Sequence, residues 1–197
     1  MTTRRQFLSS FMALPIAGAA FAPSRAHAQD APQQLALTPA CGDPEPTIAQ
    51  TEGPYFTPGS PLKRDFRPDD PTGQPITIAG YVVDEACMPV PNALIELWHC
   101  DDHGEYDNSG FKLRGHQFSD AQGRWWCTTV VPGVYTGRTR HFHVKVQRPN
   151  GPVLTTQLYF PGDADANARD GIFDASLLLD IKQAPDGGYG RYDFVIA

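Results

Sequence analysis

The sequence is short of positive charge, of uninterrupted helix-forming stretches and of long apolar runs. Lys and Arg number 16 against 22 Asp and Glu, a formal charge of −6. Binding to nucleic acid draws on clustered Lys and Arg, so no nucleic-acid partner is expected. Gly and Pro together supply 37 of the 197 residues, well above their usual share of roughly 12 %. Long helices tolerate neither, which argues against a helical bundle and for short strands joined by turns. There is no internal repeat and no heptad pattern. No cysteine pair is spaced CxxC and no HExxH is present, so the commonest zinc patterns are missing. What the chain has is 41 % hydrophobic and 19 % charged residues, enough for one domain with a buried core and a tail.

The one extended apolar stretch lies at the start. Arg4-Arg5 precede Phe7-Leu8 and a run to about Ala22, and Ala26-His27-Ala28 is a small-x-small cleavage site. Pro15, Gly18 and Ser9-Ser10 interrupt the run, which suits an export signal better than a span of about 20 residues. TRRQFL resembles the twin-arginine signal. Residues 1–28 are therefore expected to be removed, taking three arginines and no acid and leaving 169 residues at −9. The expected location is periplasmic or extracellular, with no membrane association after cleavage.

In that compartment four cysteines, Cys41, Cys87, Cys100 and Cys127, are expected to form two disulfides, for which three connectivities exist. The pairing carried forward is Cys100 with Cys127 and Cys41 with Cys87.

Residues 29–75 hold ten prolines and almost no periodicity, and read as an extended arm packing over a core. From residue 76 to 197 short apolar runs take over: Ile76–Val83, Ala93–His99, Arg124–Val131, His141–Gln147, Val153–Phe160, Ser176–Lys182 and Arg191–Ile196. Turn residues bound each run, so the fold class is all-β, a sandwich of about seven to eight strands. Asp163–Asp170 is the one helix candidate.

Chemistry centres on His141 and His143. Alternate residues of a strand share a face, so both imidazoles of HFH can reach one metal ion while Phe142 turns to the core. No carboxylate lies close in sequence, which weighs against a two-His-one-carboxylate ferrous site. Tyr106 follows Gly104-Glu105, Tyr135 follows Pro132-Gly133-Val134, and Arg138 and Arg140 precede the histidines. Two imidazoles with two phenolates favour a hard, high-valent ion. Trp98, Trp125 and Trp126 read as core packing, Tyr55 as arm packing, His99 as a strand residue beside the pocket, and His103 and His116 as loop histidines.

The stretches Gly80–Tyr106, Phe118–Tyr135, Arg138–Val146 and Leu154–Asp163, with TEGPYF at Thr51–Phe56, resemble the intradiol ring-cleavage dioxygenases. That resemblance implies Fe(III) held by Tyr106 and His141 as equatorial ligands and by Tyr135 and His143 as axial ones. It implies Arg138 and Gln157 as active-site residues, and a catecholic substrate cleaved with O2 to a muconate-type diacid. Tyr135 would leave the metal on substrate binding and take up a proton. Two features depart from the family's pattern: Thr139 stands where Arg-Pro-x-His has proline, and the stretch from Tyr135 to His141 is short. The chain corresponds to the compact core of such enzymes, as a monomer or homodimer. The alternative is a non-enzymatic sandwich of the transthyretin or carboxypeptidase-regulatory type, whose hairpin pattern Gly80–Trp98 also follows.

Overall fold

Apolar residues at alternate positions give each strand one face to bury, and the chain buries those faces by stacking two sheets. The computed structural model describes residues 45–135, 137–184 and 187–197. One sheet has the order β4-β1-β8-β7, with β9 also on β1: β1 is Pro75–Asp84, β4 Arg124–Val130, β7 Asp180–Ala184, β8 Gly187–Arg191 and β9 Phe194–Ile196. The other runs β3-β2-β5-β6, from Arg114–Phe118, Leu94–Trp98, His141–Gln147 and Val153–Tyr159. Phe142, Val144 and Val146 of β5 meet Ile78, Val82 and Trp125 of the facing sheet in one core. The all-β sandwich is as expected.

Local chemistry moved some boundaries. Strand β3, RGHQF, went unseen because only Phe118 is apolar; it is held by its ladder to β2. The Ser176–Lys182 run starts instead as a 3-10 turn, Ala175–Leu177, because the Asp174 side chain accepts the Ser176 N–H. The Arg191–Ile196 run divides between β8 and β9, which pair in parallel with successive halves of β1. The helix α1 spans Ala164–Arg169.

The arm from residue 45 onward crosses the outer face of the β3-β2-β5-β6 sheet. Gln50 N–H donates to Thr155 O at 2.8 Å, Thr156 Oγ1 to Ile48 O at 2.8 Å and Gln157 Nε2 to Thr51 O at 3.0 Å.

The Cys100–Cys127 pairing is overturned: both are buried free thiols. Cys127 lies in the inter-sheet core, and Cys100 donates to Gly133 O. Burial pushes the Cys100 thiol up to about 11, which keeps it protonated and inert. Cys41, and so the second pairing, lies outside the described residues, as do the proposed signal 1–28 and the arm before residue 45. Among the described residues no helix is long and apolar enough to cross a membrane.

Candidate metal centre

Strand register assembles the centre. Across the outer face of one sheet, Arg114 pairs with Trp98, Trp98 with His143, and His143 with Gln157. His141 pairs with Tyr159 one step along. Both histidines therefore leave β5 on the side away from Phe142, which is in the core as expected. Their Nε2 atoms lie 3.1 Å apart. Two nitrogens each about 2.1 Å from one ion, at right angles, would be about 3 Å apart.

The His141 tautomer is set locally. His141 Nδ1 lies 2.7 Å from Thr139 O, so it carries the proton and leaves Nε2 with a free lone pair. Burial depresses both imidazoles, His141 to about 4 and His143 well below its ordinary value, so both are neutral, the form that binds metals. The Trp98 ring stacks on His143 at 5.0 Å and 6° and fixes its plane.

The tyrosines come from two loops that touch through glycines. A Cβ on Gly104, whose φ is +86°, would sit 2.6 Å from Val134 O, and one on Gly133 would sit 2.4 Å from Gly104 N. This close approach puts the Tyr106 and Tyr135 rings 6.0 Å apart and Tyr106 6.2 Å from His143. The Tyr106 hydroxyl is buried with no hydrogen-bond partner, and burial pushes its phenol well above the usual range. An unpartnered buried hydroxyl costs free energy that a cation would relieve by converting it to a bound phenolate. Among the described residues no three His, Cys, Asp or Glu are placed to hold a metal ion, so a centre here must draw on these phenols. The donor set fits a hard trivalent ion.

Arg138 and Gln157 also converge: Arg138 Nη2 donates to Gln157 Oε1 at 2.7 Å, and Arg138 Nε to Asp170 Oδ2 at 2.8 Å.

Several residues stand elsewhere than expected. Tyr55 does more than pack the arm: it stacks on Tyr106 at 4.4 Å, and its hydroxyl lies 2.7 Å from that of Tyr135. Trp98 is not between the sheets but on the outer face against His143 and Phe56, whereas Trp125 is in the core and Trp126 on the far face. His99 is buried, with Nε2 2.7 Å from Thr129 Oγ1 and Nδ1 2.7 Å from Cys100 O, its ring edge-on to Phe142. His116 belongs to β3 rather than a loop, and His103 is exposed. Sequence reasoning missed Arg114, which is 1 % exposed and donates to Asp107 O and Tyr55 O. It thereby ties the arm to the residue after Tyr106. It also missed Asp170; no pattern in the sequence marks either.

The chain is similar to known proteins over most of its described length. Residues 51–187 match the family model described as Dioxygenase. The hydroxyquinol 1,2-dioxygenase of Rhodococcus opacus is 33 % identical over 162 residues, covering 68 % of this chain and 54 % of that protein. The chain spans about half to two thirds of the length of the curated relatives it matches. Among solved structures, the dioxygenase domain of a dioxygenase carbohydrate-binding protein fusion from Streptomyces sp. SirexAA-E superposes with a TM-score of 0.75 at 48 % identity, covering 77 % of this chain and 98 % of that one. The 3-chlorocatechol 1,2-dioxygenase of Rhodococcus opacus 1CP gives 0.68 at 27 % identity, covering 76 % and 71 %.

Proposed function

Because the chain belongs to the intradiol dioxygenase family, we propose that it is a non-haem Fe(III) enzyme that cleaves a catechol-type ring between its two hydroxylated carbons, using O2 and releasing a muconate-type diacid. The observation that carries this reading is the convergence of the His141 and His143 Nε2 atoms, 3.1 Å apart, with the unpartnered Tyr106 hydroxyl and with Tyr135. His141, His143, Tyr106 and Tyr135 would hold the ion. Ferric iron, when bound, supplies the Lewis acidity that favours a doubly ionised catechol.

The protein groups divide the remaining work. Tyr106 and His143 are fixed by stacking and stay in place. Tyr135 is partly exposed, and its hydroxyl already shares a hydrogen bond with Tyr55 Oη, so a proton taken up at Tyr135 Oη has a partner waiting. Arg138, held from two sides, presents a fixed positive charge where negative charge builds on the ring, help of a kind worth a few kcal/mol. The non-enzymatic sandwich reading gives no account of two histidines and two tyrosines converging on one point.

The test is a visible spectrum of the iron-loaded protein. A tyrosinate-to-ferric absorption band that shifts when catechol is added supports the reading, and a protein that stays colourless after iron loading overturns it. The same reading extends to location: Arg4-Arg5 and Ala26-His27-Ala28 support export with cleavage after Ala28. Fractionation and N-terminal sequencing of the mature protein test it.

A further inference from the structure

Asp170 follows α1, and its carboxylate reaches Arg138 beside the site. Its side chain is 1 % exposed. Oδ2 accepts from Arg138 Nε at 2.8 Å and from the Thr139 N–H at 3.0 Å, while Oδ1 accepts from the Ile172 N–H at 3.2 Å. The Thr139 carbonyl in turn receives the His141 Nδ1 proton at 2.7 Å. One buried carboxylate thus touches the guanidinium beside the site and the backbone N–H of the residue whose carbonyl orients the His141 imidazole. The α1 helix holds it there: the Asp170 N–H donates to Ala166 O at 3.0 Å, and Thr139 Oγ1 donates to Asn167 Oδ1. The second contact depends on this chain's own departure from Arg-Pro-x-His, since a proline at position 139 would have no N–H to give.

We propose that Asp170 is a positioning residue for ring cleavage, fixing the Arg138 guanidinium in the plane set by Gln157 and, through Thr139, fixing the His141 ring. The proposal rests on the ring-cleavage reading above. An unanchored Arg138 has several rotamers, and only one directs its charge to the ring, so the loss belongs in the chemical step rather than in binding. Asp170 touches neither metal nor substrate and acts through its two neighbours.

Asp170→Asn keeps an oxygen for the Arg138 Nε–H and the Thr139 N–H, which share Oδ2, and removes only the charge opposite the guanidinium. In the iron-loaded full chain it is expected to lower kcat by roughly 10- to 100-fold, with KM within about threefold and iron content as in wild type. Combined with Arg138→Gln it should cost nothing beyond Arg138→Gln alone, since the two act as one unit. Asp170→Ala, which removes both contacts, should also shed iron more readily to a chelator. Independent, additive losses from Arg138→Gln and Asp170→Asn, or iron loss already in Asp170→Asn, would reduce Asp170 to a fold element and overturn the proposal.

A second readout needs no catalysis. In ¹⁵N spectra of the metal-free full chain, the Arg138 Nε–H and the Thr139 amide, which share Asp170 Oδ2, should exchange slowly with water in wild type and rapidly in Asp170→Ala. Equal, rapid exchange in both proteins refutes the clamp. A wild type that cleaves no catechol but keeps the slow Nε–H counts against the ring-cleavage reading and leaves Asp170's hold on Arg138 standing.

Discussion

Tyr55 and Tyr135 share a hydrogen bond of 2.7 Å between their hydroxyls, which joins the arm to the loop that precedes the strand carrying His141 and His143. That bond raises the Tyr55 phenol above its ordinary value, so at neutral pH the Tyr55 hydroxyl is protonated in the metal-free protein. Tyr55→Phe removes the bond and keeps the 4.4 Å stack on Tyr106. One net hydrogen bond of about 1 kcal/mol corresponds to roughly a fivefold drop in kcat/KM, with iron content unchanged. Steady-state kinetics and metal analysis on the purified variant decide it; an unaltered kcat/KM would show that Tyr135 does not use this partner.

Trp98 is expected to matter for metal retention as well as for stability. Its ring covers His143 face to face at 5.0 Å and meets Phe56 of the arm at 4.9 Å. Trp98→Ala should cost about 3–5 kcal/mol on denaturant unfolding and free the His143 ring to turn, so that iron is lost faster to a chelator. Trp98→Phe should recover part of both. If Trp98→Ala unfolds too readily to purify, the Phe variant alone carries the comparison of chelation rates.

These residues mark where the sequence could be read and where it could not. The His141-Phe142-His143 alternation is a local pattern, and the face it predicts for each side chain is the one observed. The sandwich followed from strand-length runs between turns in the same way. The roles of Trp98 and Tyr55 were not legible, because an aromatic residue looks alike whether it fills a core or orients an imidazole. What separates them is cross-strand register, here Trp98 opposite His143, and register is a long-range property. Asp170 and Arg114 were hidden for a related reason: Arg114 reaches Asp107 and Tyr55, 7 and 59 residues away, and Asp170 reaches Arg138, 32 residues away. The free thiols of Cys100 and Cys127 show the reverse error, a compartment argument that does not see Cys127 enclosed in the core and Cys100 bonded to Gly133 O.

Stability should fall on mild acidification. His99 is fully buried, and desolvation depresses its imidazole from an ordinary 6.5 to about 4. The unfolded chain takes up a proton below 6.5 while the folded chain does not until about 4. Folding free energy is therefore flat above pH 6.5 and declines as pH falls through that window, by up to about 3 kcal/mol. His141, depressed to about 4, and His143 push the same way in the metal-free protein. Denaturant titrations of wild type and His99→Gln at pH 7 and pH 4.5 isolate the His99 share: the variant should be less stable at pH 7 and lose less between the two. An identical pH loss in both would place the effect on other groups.

Gly53 offers the sharpest test that the arm belongs to the metal centre. Its φ is +71°, and a Cβ there would lie 3.1 Å from His143 Cε1, so the arm's backbone rests directly on the ring of a proposed metal ligand. Gly59, also in the arm, has φ +82° but nothing within 4 Å of its would-be Cβ. Alanine at either position carries the same left-handed strain, about 1–2 kcal/mol. Only at Gly53 must the new methyl also displace an imidazole or lift the arm. Both variants should show similar losses of thermal stability before iron loading, with Gly53→Ala somewhat worse. After loading, Gly53→Ala alone should release iron to a chelator several-fold faster and shift the tyrosinate absorption band. Equal iron release from Gly53→Ala and Gly59→Ala would mean that the arm merely covers the sheet and does not hold His143 in place.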